Sequence, residues 1–535
     1  MRSISLSALD YAIVAGYFLA ILLIGYLLRR RMVSTEQFLL AGRSLPSWIT
    51  GIAFVAANCG ALEIMGMIST AAKYGARANH FYWLGAIPAM LFLALFMMPI
   101  YHRSRVRSVP EFLKLRYGEA TRTFNALSFA TMMILVSGIS LYAMAIILEA
   151  LVGWSFTTSV LVAGAVVLVY IVLGGLRATI YNEFLQFVLI VVGLSPLVYF
   201  ALREFHGWAG LTAALPVDMR HTWQGLPVAS PTSSAMDGVG NVLGLGFVLS
   251  FGYWCTDFLL IQRALAAKDL SAATETPLIG SVVKLFFPAL VVLPGLAAVA
   301  LFPQELAQRY DVALPNLMVR YYSHGLLGLG VTAMLASFMS GMAGNITAFN
   351  TAGPTISTRR TWRTGAPTVI TSSWAASPRS LPRRFPSPRR SSCSASTISW
   401  ITCSYSFPSS TLRSLPPSCW GCSRAGRRRG GGFAGLVAGT LSAVLHYLAY
   451  RSHWLPYGSD MTANFYGAMC AWTVCFLVTC AVSAVTRPKP AAELAGLVHH
   501  AASDASPAGF AARRRAWIFA ALVLAALIVL NWIFY

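Results

Sequence analysis

Two short stretches of the chain place an acid and other polar groups inside otherwise apolar segments, where they could bind a cation or a polar solute. They are residues 56–63 (AANCGALE) and residues 250–257 (SFGYWCTD). In each, a glycine precedes a carboxylate, Glu63 in the first and Asp257 in the second. Peptide groups freed at a helix break need partners inside a membrane, and an ion or a solute can be that partner. The pattern therefore predicts a binding site formed by two interrupted helices.

Twelve apolar stretches of membrane-spanning length contain or surround these segments. A helix that crosses about 30 Å of hydrocarbon needs roughly 20 mostly apolar residues. The stretches cover about 9–28, 46–71, 80–101, 123–152, 156–176, 183–202, 238–261, 275–302, 325–351, 432–450, 463–486 and 515–535. A chain with 57% hydrophobic and 11% charged residues could not present a wettable surface to water. We therefore predict an all-α polytopic membrane protein with a single membrane domain, 1–535.

Basic loops set the predicted topology, because Lys and Arg accumulate on the cytoplasmic side of a membrane. The basic clusters at 102–116, 263–268 and 487–515 are predicted to be cytoplasmic, and the connections 203–237 and 303–324 to lie outside. The first apolar stretch is too long for a signal peptide and its arginines follow it, so we predict a retained helix whose N-terminus is outside.

One stretch, 353–431, breaks the apolar pattern. It contains 13 Arg and 9 Pro, with no Lys, Asp or Glu. Such a tract is typical of a disordered cytoplasmic loop that binds anionic lipid or nucleic acid. A one-base shift of the reading frame explains it better, because the codons of residues 419–421 then encode Leu-Gly and their neighbours permit an apolar helix. We hypothesise compensating frame errors near 352 and 430, whose repair would restore two helices and bring the total to fourteen.

Fourteen helices would divide into two repeats of opposite orientation, 46–202 and 238–423. An extra helix at 9–28 would precede them, and peripheral helices at 432–535 would follow. Secondary transporters built from inverted repeats bind their substrates where a helix is interrupted near the midplane of the membrane. Each predicted repeat begins with one of the two interrupted segments, so the solute site is expected between them.

Several motifs resemble the solute:sodium symporter family, which includes the sodium/glucose and sodium/proline transporters. They are residues 170–178 (YIVLGGLRA), 181–186 (YNEFLQ), 262–268 (QRALAAK) and 284–295 (KLFFPALVVLPG). The resemblance covers the chain on both sides of 353–431. It implies an inverted-repeat fold of the leucine-transporter type. Together with the apolar stretches and the frame hypothesis, we expect 12 intact transmembrane helices and 2 scrambled ones. The resemblance also implies sodium-coupled symport of a small organic solute by alternating access.

The resemblance further implies a sodium site. Family members hold sodium between backbone carbonyls of the first broken helix, here Ala56 and Cys59, and groups of the ninth helix, here the Ser337 carbonyl and the Ser340 hydroxyl. Hard oxygen ligands suit this ion, and carbonyls at a helix break supply them without burying a net charge. The alternative is that Ser340 only bonds the backbone of its own helix.

The chain departs from the family at Gly341, where relatives usually carry a second hydroxyl next to that serine. A missing ligand weakens sodium coordination, so that water, another residue or a proton would complete the shell. Alternatively, Gly341 and Gly344 permit close packing of two helices, as small residues do in membranes.

Glu63 falls where sugar-transporting relatives carry a substrate-binding Gln. An ionisable group inside a membrane helix is costly and functional by default, so Glu63 would bind the solute or a proton. The alternative is a structural pair with a buried lysine such as Lys284. A carboxylate at this point favours an amine or a polyhydroxylated solute over a free anion.

Four further side chains are predicted to line the same cavity, with ordinary helix packing as the alternative: Asn58, Tyr253, Trp254 and Asp257. Among them, Tyr253 resembles the family's aromatic gate below the substrate. Glu183 matches an acidic family position on the inner ion path, although it could equally be an interfacial charge.

Other function classes fit less well. The chain has no phosphate-binding Gly-Lys-Ser/Thr motif, which argues against an ATP-driven pump. Its cysteines show no paired metal spacing except Cys419 and Cys422, which form a C-x-x-C only inside the frame-shifted stretch and are therefore discarded. A channel would need a continuous polar pore, and a sensory module would carry a soluble signalling domain. The remaining alternatives to sodium symport are a proton-coupled or uncoupled carrier, or a non-functional product of a frame-disrupted gene. We expect no enzyme activity, cofactor, nucleic acid or obligate protein partner, and a location in the plasma (cell inner) membrane.

Overall fold

The computed structural model describes residues 6–29, 41–104, 106, 108–173, 176–232, 236–307, 309–356, 429–486 and 507–535. Throughout these ranges the regular structure is helical, and a single bridge between Leu45 and Ala267 is the one strand-like pairing. The helices are, in chain order, α1 (Ala8–Arg29), α2 (Ser47–Asn58), α3 (Ala61–Tyr74), α4 (Phe81–Arg103), α5 (Val109–Tyr117), α6 (Glu119–Val152), α7 (Phe156–Leu173), α8 (Leu176–Glu204), α9 (Trp208–Ala214), α10 (Gly240–Thr256), α11 (Phe258–Leu265), α12 (Leu270–Leu301), α13 (Pro303–Leu306), α14 (Ala313–Tyr321), α15 (Leu326–Ile356), α16 (Arg429–Arg451), α17 (Asp460–Val485) and α18 (Pro507–Ile533). Short 3-10 turns cover Ala41–Arg43, Gly75–Asn79, Val217–Met219 and Tyr310–Val312.

The helices confirm an all-α polytopic architecture. Within the described ranges, nine single helices are long and apolar enough to cross a membrane, and two bent pairs raise that number to eleven. The remaining predicted span, 156–176, corresponds to α7, where the structure shows a shorter apolar helix, Phe156–Ala165, among the described residues. The total of twelve plus two helices stays a prediction. Most of the tract 353–431 lies outside the described residues, so the structure says nothing of the frame hypothesis there.

Both predicted helix breaks are present. Helices α2 and α3 meet at a bend of 62°, and α10 and α11 meet at a bend of 50°. Cys59 and Gly60 interrupt the first pair, and Asp257 interrupts the second. At each interruption the backbone leaves helical geometry for one or two residues, which frees peptide groups in the middle of an apolar span.

Helix α15 lies at the centre of the bundle. It is the most buried of the spanning helices and packs on α8, α6, α1 and α2. Helix α12 covers the other side of the first broken pair, since it packs along both α2 and α3. In contrast, α1, α16, α17 and α18 expose most of their apolar surface, as expected of helices that face lipid.

Two glycines let the peripheral helix α17 approach the second broken pair. A Cβ atom on Gly244 would lie 2.6 Å from the Cβ of Phe465, and one on Gly240 would lie 3.4 Å from the same ring. Because neither position carries a side chain, α17 packs directly against α10. Small residues allow this kind of contact between membrane helices.

Candidate functional site

The first break exposes a pair of backbone carbonyls. In an unbroken helix the Gly60 N–H would donate to the Ala56 oxygen, but here it donates to Asn58 at 2.8 Å. The Cys59 N–H donates to both Ala56 and Val55 at 3.0 Å, which tightens the last turn of α2. A carbonyl oxygen has two lone pairs, so Ala56 can accept a further hydrogen bond beside that from Cys59, and the Cys59 carbonyl at the break can also accept from groups on neighbouring helices.

Two serines of α15 reach these carbonyls. The Ser340 hydroxyl donates to the Ala56 oxygen at 2.9 Å, and the Ser337 hydroxyl donates to the Cys59 oxygen at 2.7 Å. Both serines are fully buried. The hydrogen bond of Ser340 crosses to α2, in contrast to the alternative in which it bonds its own helix. The prediction from the sequence assigned only the carbonyl of Ser337 to the site, and it missed the hydrogen bond that the Ser337 hydroxyl donates.

Gly341 packs against the break itself. A Cβ atom built on Gly341 would lie 3.0 Å from the Cα of Gly60, and one built on Gly60 would lie 3.9 Å from the Ser337 carbonyl oxygen. The two backbones are thus in direct contact, which agrees with the packing alternative for this position. Gly344 likewise makes room for Leu259, whose Cδ1 would lie 2.6 Å from an added Cβ.

Glu63 forms a buried ion pair with Lys284. The lysine Nζ lies 2.9 Å from Oε1 of the carboxylate, and the hydroxyl of Tyr82 donates to the same oxygen at 2.8 Å. Aromatic rings of Phe287, Tyr82 and Trp254 surround the ammonium, at 4.5, 5.1 and 5.6 Å from their centroids. Such rings attract a cation through their quadrupoles. The structure therefore contains the lysine partner that the sequence offered as the alternative for Glu63.

The two broken pairs are joined by Asn58 and Tyr253. The Asn58 amide nitrogen donates to the Tyr253 hydroxyl at 2.9 Å, while its amide oxygen is buried without a hydrogen-bond partner. Trp254 packs on Phe54 of α2, with ring centroids 5.8 Å apart. These contacts bring Asn58, Tyr253 and Trp254 to one place beside the ion pair of Glu63.

Asp257 has a local structural contact. Its carboxylate accepts a hydrogen bond of 2.8 Å from the Leu259 N–H and caps the first turn of α11. An aspartate at this position satisfies one of the free amides of a helix start and interacts favourably with the helix dipole.

Glu183 is fully buried in an ion pair with Arg263. Its two oxygens accept from Nε of Arg263 at 3.2 Å and from Nη2, and Arg263 Nη1 donates to the Leu259 carbonyl at 2.8 Å. The sequence counted Arg263 with the basic cluster at 263–268, but its side chain lies inside the bundle, paired with Glu183 of α8. Charge counting cannot detect this, because it does not register which Arg has a buried partner. The cytoplasmic side of the cluster stays a prediction.

No group of three or more His, Cys, Asp or Glu side chains that could hold a metal ion occurs in the described part of the chain. The oxygens gathered at the break of α2 and α3 are carbonyls and hydroxyls. This set is chemically suited to a hard monovalent cation and not to a thiolate- or imidazole-binding metal.

The chain is similar to known transporters. The model of the "Sodium:solute symporter family" matches residues 38–354. The chain is 29% identical over 369 residues to sodium/glucose cotransporter 4 of Danio rerio, with 63% of the chain and 56% of the relative covered. It is 29% identical over 361 residues to the sodium/glucose cotransporter of Vibrio parahaemolyticus, with 63% of the chain and 66% of the relative covered. It is also 29% identical over 389 residues to sodium/myo-inositol cotransporter 2 of Rattus norvegicus. That match covers 67% of the chain and 57% of the relative.

The matched part of the chain thus spans between about half and two thirds of the length of these relatives. Among solved structures, a Na+-coupled sialic acid symporter in a substrate-bound outward-open state superposes with a TM-score of 0.65 at 18% identity. The superposition covers 90% of this chain and 99% of that one. At this identity the likeness concerns the fold alone.

Proposed function

Since the chain belongs to the sodium:solute symporter family, we propose that it is a secondary active transporter that couples uptake of a small organic solute to sodium by alternating access. The observation that carries the proposal is the oxygen cluster at the first break, where the hydroxyls of Ser337 and Ser340 meet the carbonyls of Cys59 and Ala56. An ion entering there replaces its hydration shell with oxygens that are already gathered and that carry no net charge.

The fold that supports this function is an inverted repeat of the leucine-transporter type. We propose repeats at 46–202 and 238–423, an extra N-terminal helix, and peripheral helices after 432, in a multi-pass protein of the plasma (cell inner) membrane. The bent pairs α2–α3 and α10–α11 each stand at the start of a proposed repeat. Interrupted helices at equivalent places of two repeats are the expected location of ion and solute sites.

The solute is proposed to be neutral and polyhydroxylated. Lys284 neutralises Glu63, so the pair offers hydrogen-bond donors and acceptors without a net charge that would select an amine or an anion. The amide oxygen of Asn58 and the hydroxyl of Tyr253 add polar groups beside that pair. The curated relatives named above transport glucose or myo-inositol by name, which are solutes of this class. Trp254 would pack against the solute, and Asp257 would serve as a helix cap.

Glu183 has a separate proposed role on the inner side of the ion site. Its pairing with Arg263 ties α8 to α11, the second half of the second broken pair. Separation of the two charges would give a released sodium ion a carboxylate on its inner path. The Arg263 guanidinium would hold that path closed while the pair is formed.

A proton-coupled or uncoupled carrier is the second candidate, favoured by the absence of a hydroxyl at Gly341 and by the titratable Glu63. Uptake of labelled glucose and myo-inositol into proteoliposomes separates the candidates, with sodium replaced by choline in a parallel set. Sodium symport predicts uptake that collapses in choline. Uptake that persists in choline would reject sodium coupling, and dependence on an imposed pH gradient would then identify the proton.

The frame hypothesis leads to a third possibility, a transporter gene whose product does not function. The family match ends at residue 354, beside the proposed frame change near 352. Each Arg placed at a helix centre costs about 2.5 to 3.5 kcal/mol of insertion free energy, so the 13 Arg of 353–431 oppose two membrane helices there. Resequencing of the gene across this stretch tests the hypothesis. The uptake experiment is then run on two proteins, the chain with the present sequence and the chain with the repaired reading frame. An unchanged sequence whose product transports solute would reject the hypothesis.

A further inference from the structure

The N-terminal helix α1 carries two buried polar side chains, although it exposes most of its surface. Asp10 is fully buried and Tyr17 is 4% exposed, whereas Tyr11 on the same helix is 53% exposed. The burial of Asp10 requires partners, because an unpaired carboxylate in a membrane protein is costly. Helix α1 packs on α15, α8 and α7. Apart from Ser7, which precedes α1, the partners of Asp10 and Tyr17 described below lie on α15, on α8 or at the residue that precedes α15.

Asp10 caps the start of α15. Its Oδ1 accepts hydrogen bonds of 2.7 Å from the N–H groups of both Gly325 and Gly328, and its Oδ2 accepts one of 2.6 Å from the Ser7 hydroxyl. Gly325 has a positive φ of 87°, and a Cβ atom on Gly328 would lie 2.5 Å from the Cα of Asp10. The carboxylate thus sits at the positive end of the α15 dipole, at a point where glycine lets the two backbones approach.

Tyr17 lies two helical turns further along α1 and contacts the part of α15 that carries the serines. Its hydroxyl donates to the sulfur of Met339 at 3.5 Å and accepts from the amide nitrogen of Gln186 at 3.1 Å. Met339 lies in the sequence between Ser337 and Ser340. Gln186 follows Glu183 by three residues on α8. Both contacts are buried.

We propose that α1 is a clamp, in which Asp10 and Tyr17 hold α15 in position against the break of α2 and α3. Asp10 fixes the position of α15 along the helix axis through the amides of Gly325 and Gly328. Tyr17 fixes the rotation of α15 about that axis, and so which face of α15 contacts Ala56 and Cys59. Both are positioning residues, since neither contacts the oxygens at the break. A constellation of ligands must be held within about 0.5 Å to bind selectively, which a helix fixed at two points achieves.

This inference rests on the proposed function for its link to sodium. The test therefore uses two measurements on the full-length protein in detergent. Amide hydrogen exchange reports whether α15 is held. Thermal unfolding in rising NaCl, with KCl keeping the ionic strength constant, gives an apparent sodium affinity, because an ion that binds the folded state raises its stability.

The variants are Asp10→Ala, Asp10→Asn and Tyr17→Phe. Asp10→Ala should speed exchange at Gly325 and Gly328 and raise the apparent dissociation constant of sodium about three- to tenfold, the range of one or two lost hydrogen bonds. Asp10→Asn keeps an oxygen for both amides and should recover much of this loss. Tyr17→Phe keeps the ring and should weaken sodium by a similar factor, with faster exchange confined to the middle of α15.

Two matched variants control for general effects. Tyr11→Phe removes an exposed hydroxyl from the same helix, and Asp269→Ala removes the cap of α12, whose carboxylate accepts from the Ala272 N–H at 2.8 Å. Neither should change sodium affinity or exchange in α15. If sodium stabilises the starting protein and the clamp variants leave both measurements unchanged, the clamp is overturned while the proposed function stands. If sodium has no effect on any variant but exchange in α15 speeds up as expected, the proposed function fails and the clamp is supported.

Discussion

The ammonium of Lys284 lies 2.9 Å from the carboxylate of Glu63, and the two side chains differ in their access to solvent. The lysine side chain is fully buried, whereas that of the glutamate is 11% exposed. Removal of one partner from a buried pair leaves a charge without compensation, and the cost depends on which charge is left. Leaving the more buried lysine without its partner should therefore cost more folding free energy than leaving the glutamate without its partner.

The first prediction follows from that asymmetry. Glu63→Gln should lower the free energy of unfolding by about 3–5 kcal/mol, the range for breaking a buried pair. Lys284→Met should cost less, and the double variant Glu63→Gln/Lys284→Met should recover most of the loss. Thermal unfolding of the purified variants gives the order of their stabilities. Lys268→Met is the control, because it removes an exposed charge. A loss in the double variant equal to the sum of the two single losses would mean that the two side chains contribute independently.

The second prediction concerns the oxygen cluster. Ser340→Ala and Ser337→Ala each remove one hydroxyl from the first break, so the sodium concentration for half-maximal uptake should rise about three- to tenfold. Thr332→Val is the matched control, because the Thr332 hydroxyl donates to Gly328 of its own helix at 2.7 Å. A rise of the same size in the control would point to a general effect on α15.

The third prediction concerns Gly341, where the sequence and the structure lead to different expectations. The lost family hydroxyl predicts that Gly341→Ser tightens sodium binding. The structure predicts the reverse, because a Cβ atom 3.0 Å from the Cα of Gly60 would push α15 away from the break. Half-maximal sodium for uptake should therefore rise in Gly341→Ser and also in Gly341→Ala, which adds no hydroxyl. Tighter sodium in the serine variant alone would favour the expectation from the sequence.

The fourth prediction compares two ion pairs of different burial. Glu183→Gln leaves Arg263 fully buried without its partner and should cost about 3–5 kcal/mol of folding free energy. Asp311→Asn breaks the pair with Arg309, whose side chain is 55% exposed, and should cost less than about 1 kcal/mol. Thermal unfolding of both variants in the same detergent gives the comparison. Similar losses in the two would show that burial does not determine the strength of the Glu183 pair.

The fifth prediction concerns the contact of α17 with the second broken pair. Gly244→Ala places a methyl group 2.6 Å from the Cβ of Phe465 and should destabilise the protein by about 1–3 kcal/mol. Gly138→Ala on α6 meets no atom within 4 Å and should be neutral or stabilising by up to about 1 kcal/mol, because alanine is the better helix former. Thermal midpoints that fall equally in both would indicate a general intolerance of larger residues.

The sequence was sufficient for the parts of the structure that depend on local composition. Apolar length predicted the helices, and glycine followed by polar groups predicted the breaks near Gly60 and Asp257. Lys284 was identified as a possible partner of Glu63 because a lysine inside an apolar helix needs one. These signals are carried by the residues themselves and by their near neighbours in the chain.

The remaining features depend on which helices face each other, and the sequence alone does not contain that information. Arg263 was assigned to a basic loop because its partner, Glu183, is 80 positions away. The contacts of Asp10 and Tyr17 with α15 join residues more than 300 positions apart. Gly341 could be interpreted as a missing ligand or as a packing residue until the backbone opposite it was known.

The contact of Gly60 with Gly341 also restricts how the first break can move. Neither residue has a side chain, so there are no rotamers whose rearrangement could absorb an approach of the two helices. Compression at this point meets van der Waals repulsion between main-chain atoms at once, whereas a rotation about it is opposed by no side chain of these two residues. Relative movement of α2 and α15 during a transport cycle would therefore be a pivot about Gly60, with the Ser337 and Ser340 hydroxyls travelling on arcs of short radius around a nearly fixed point.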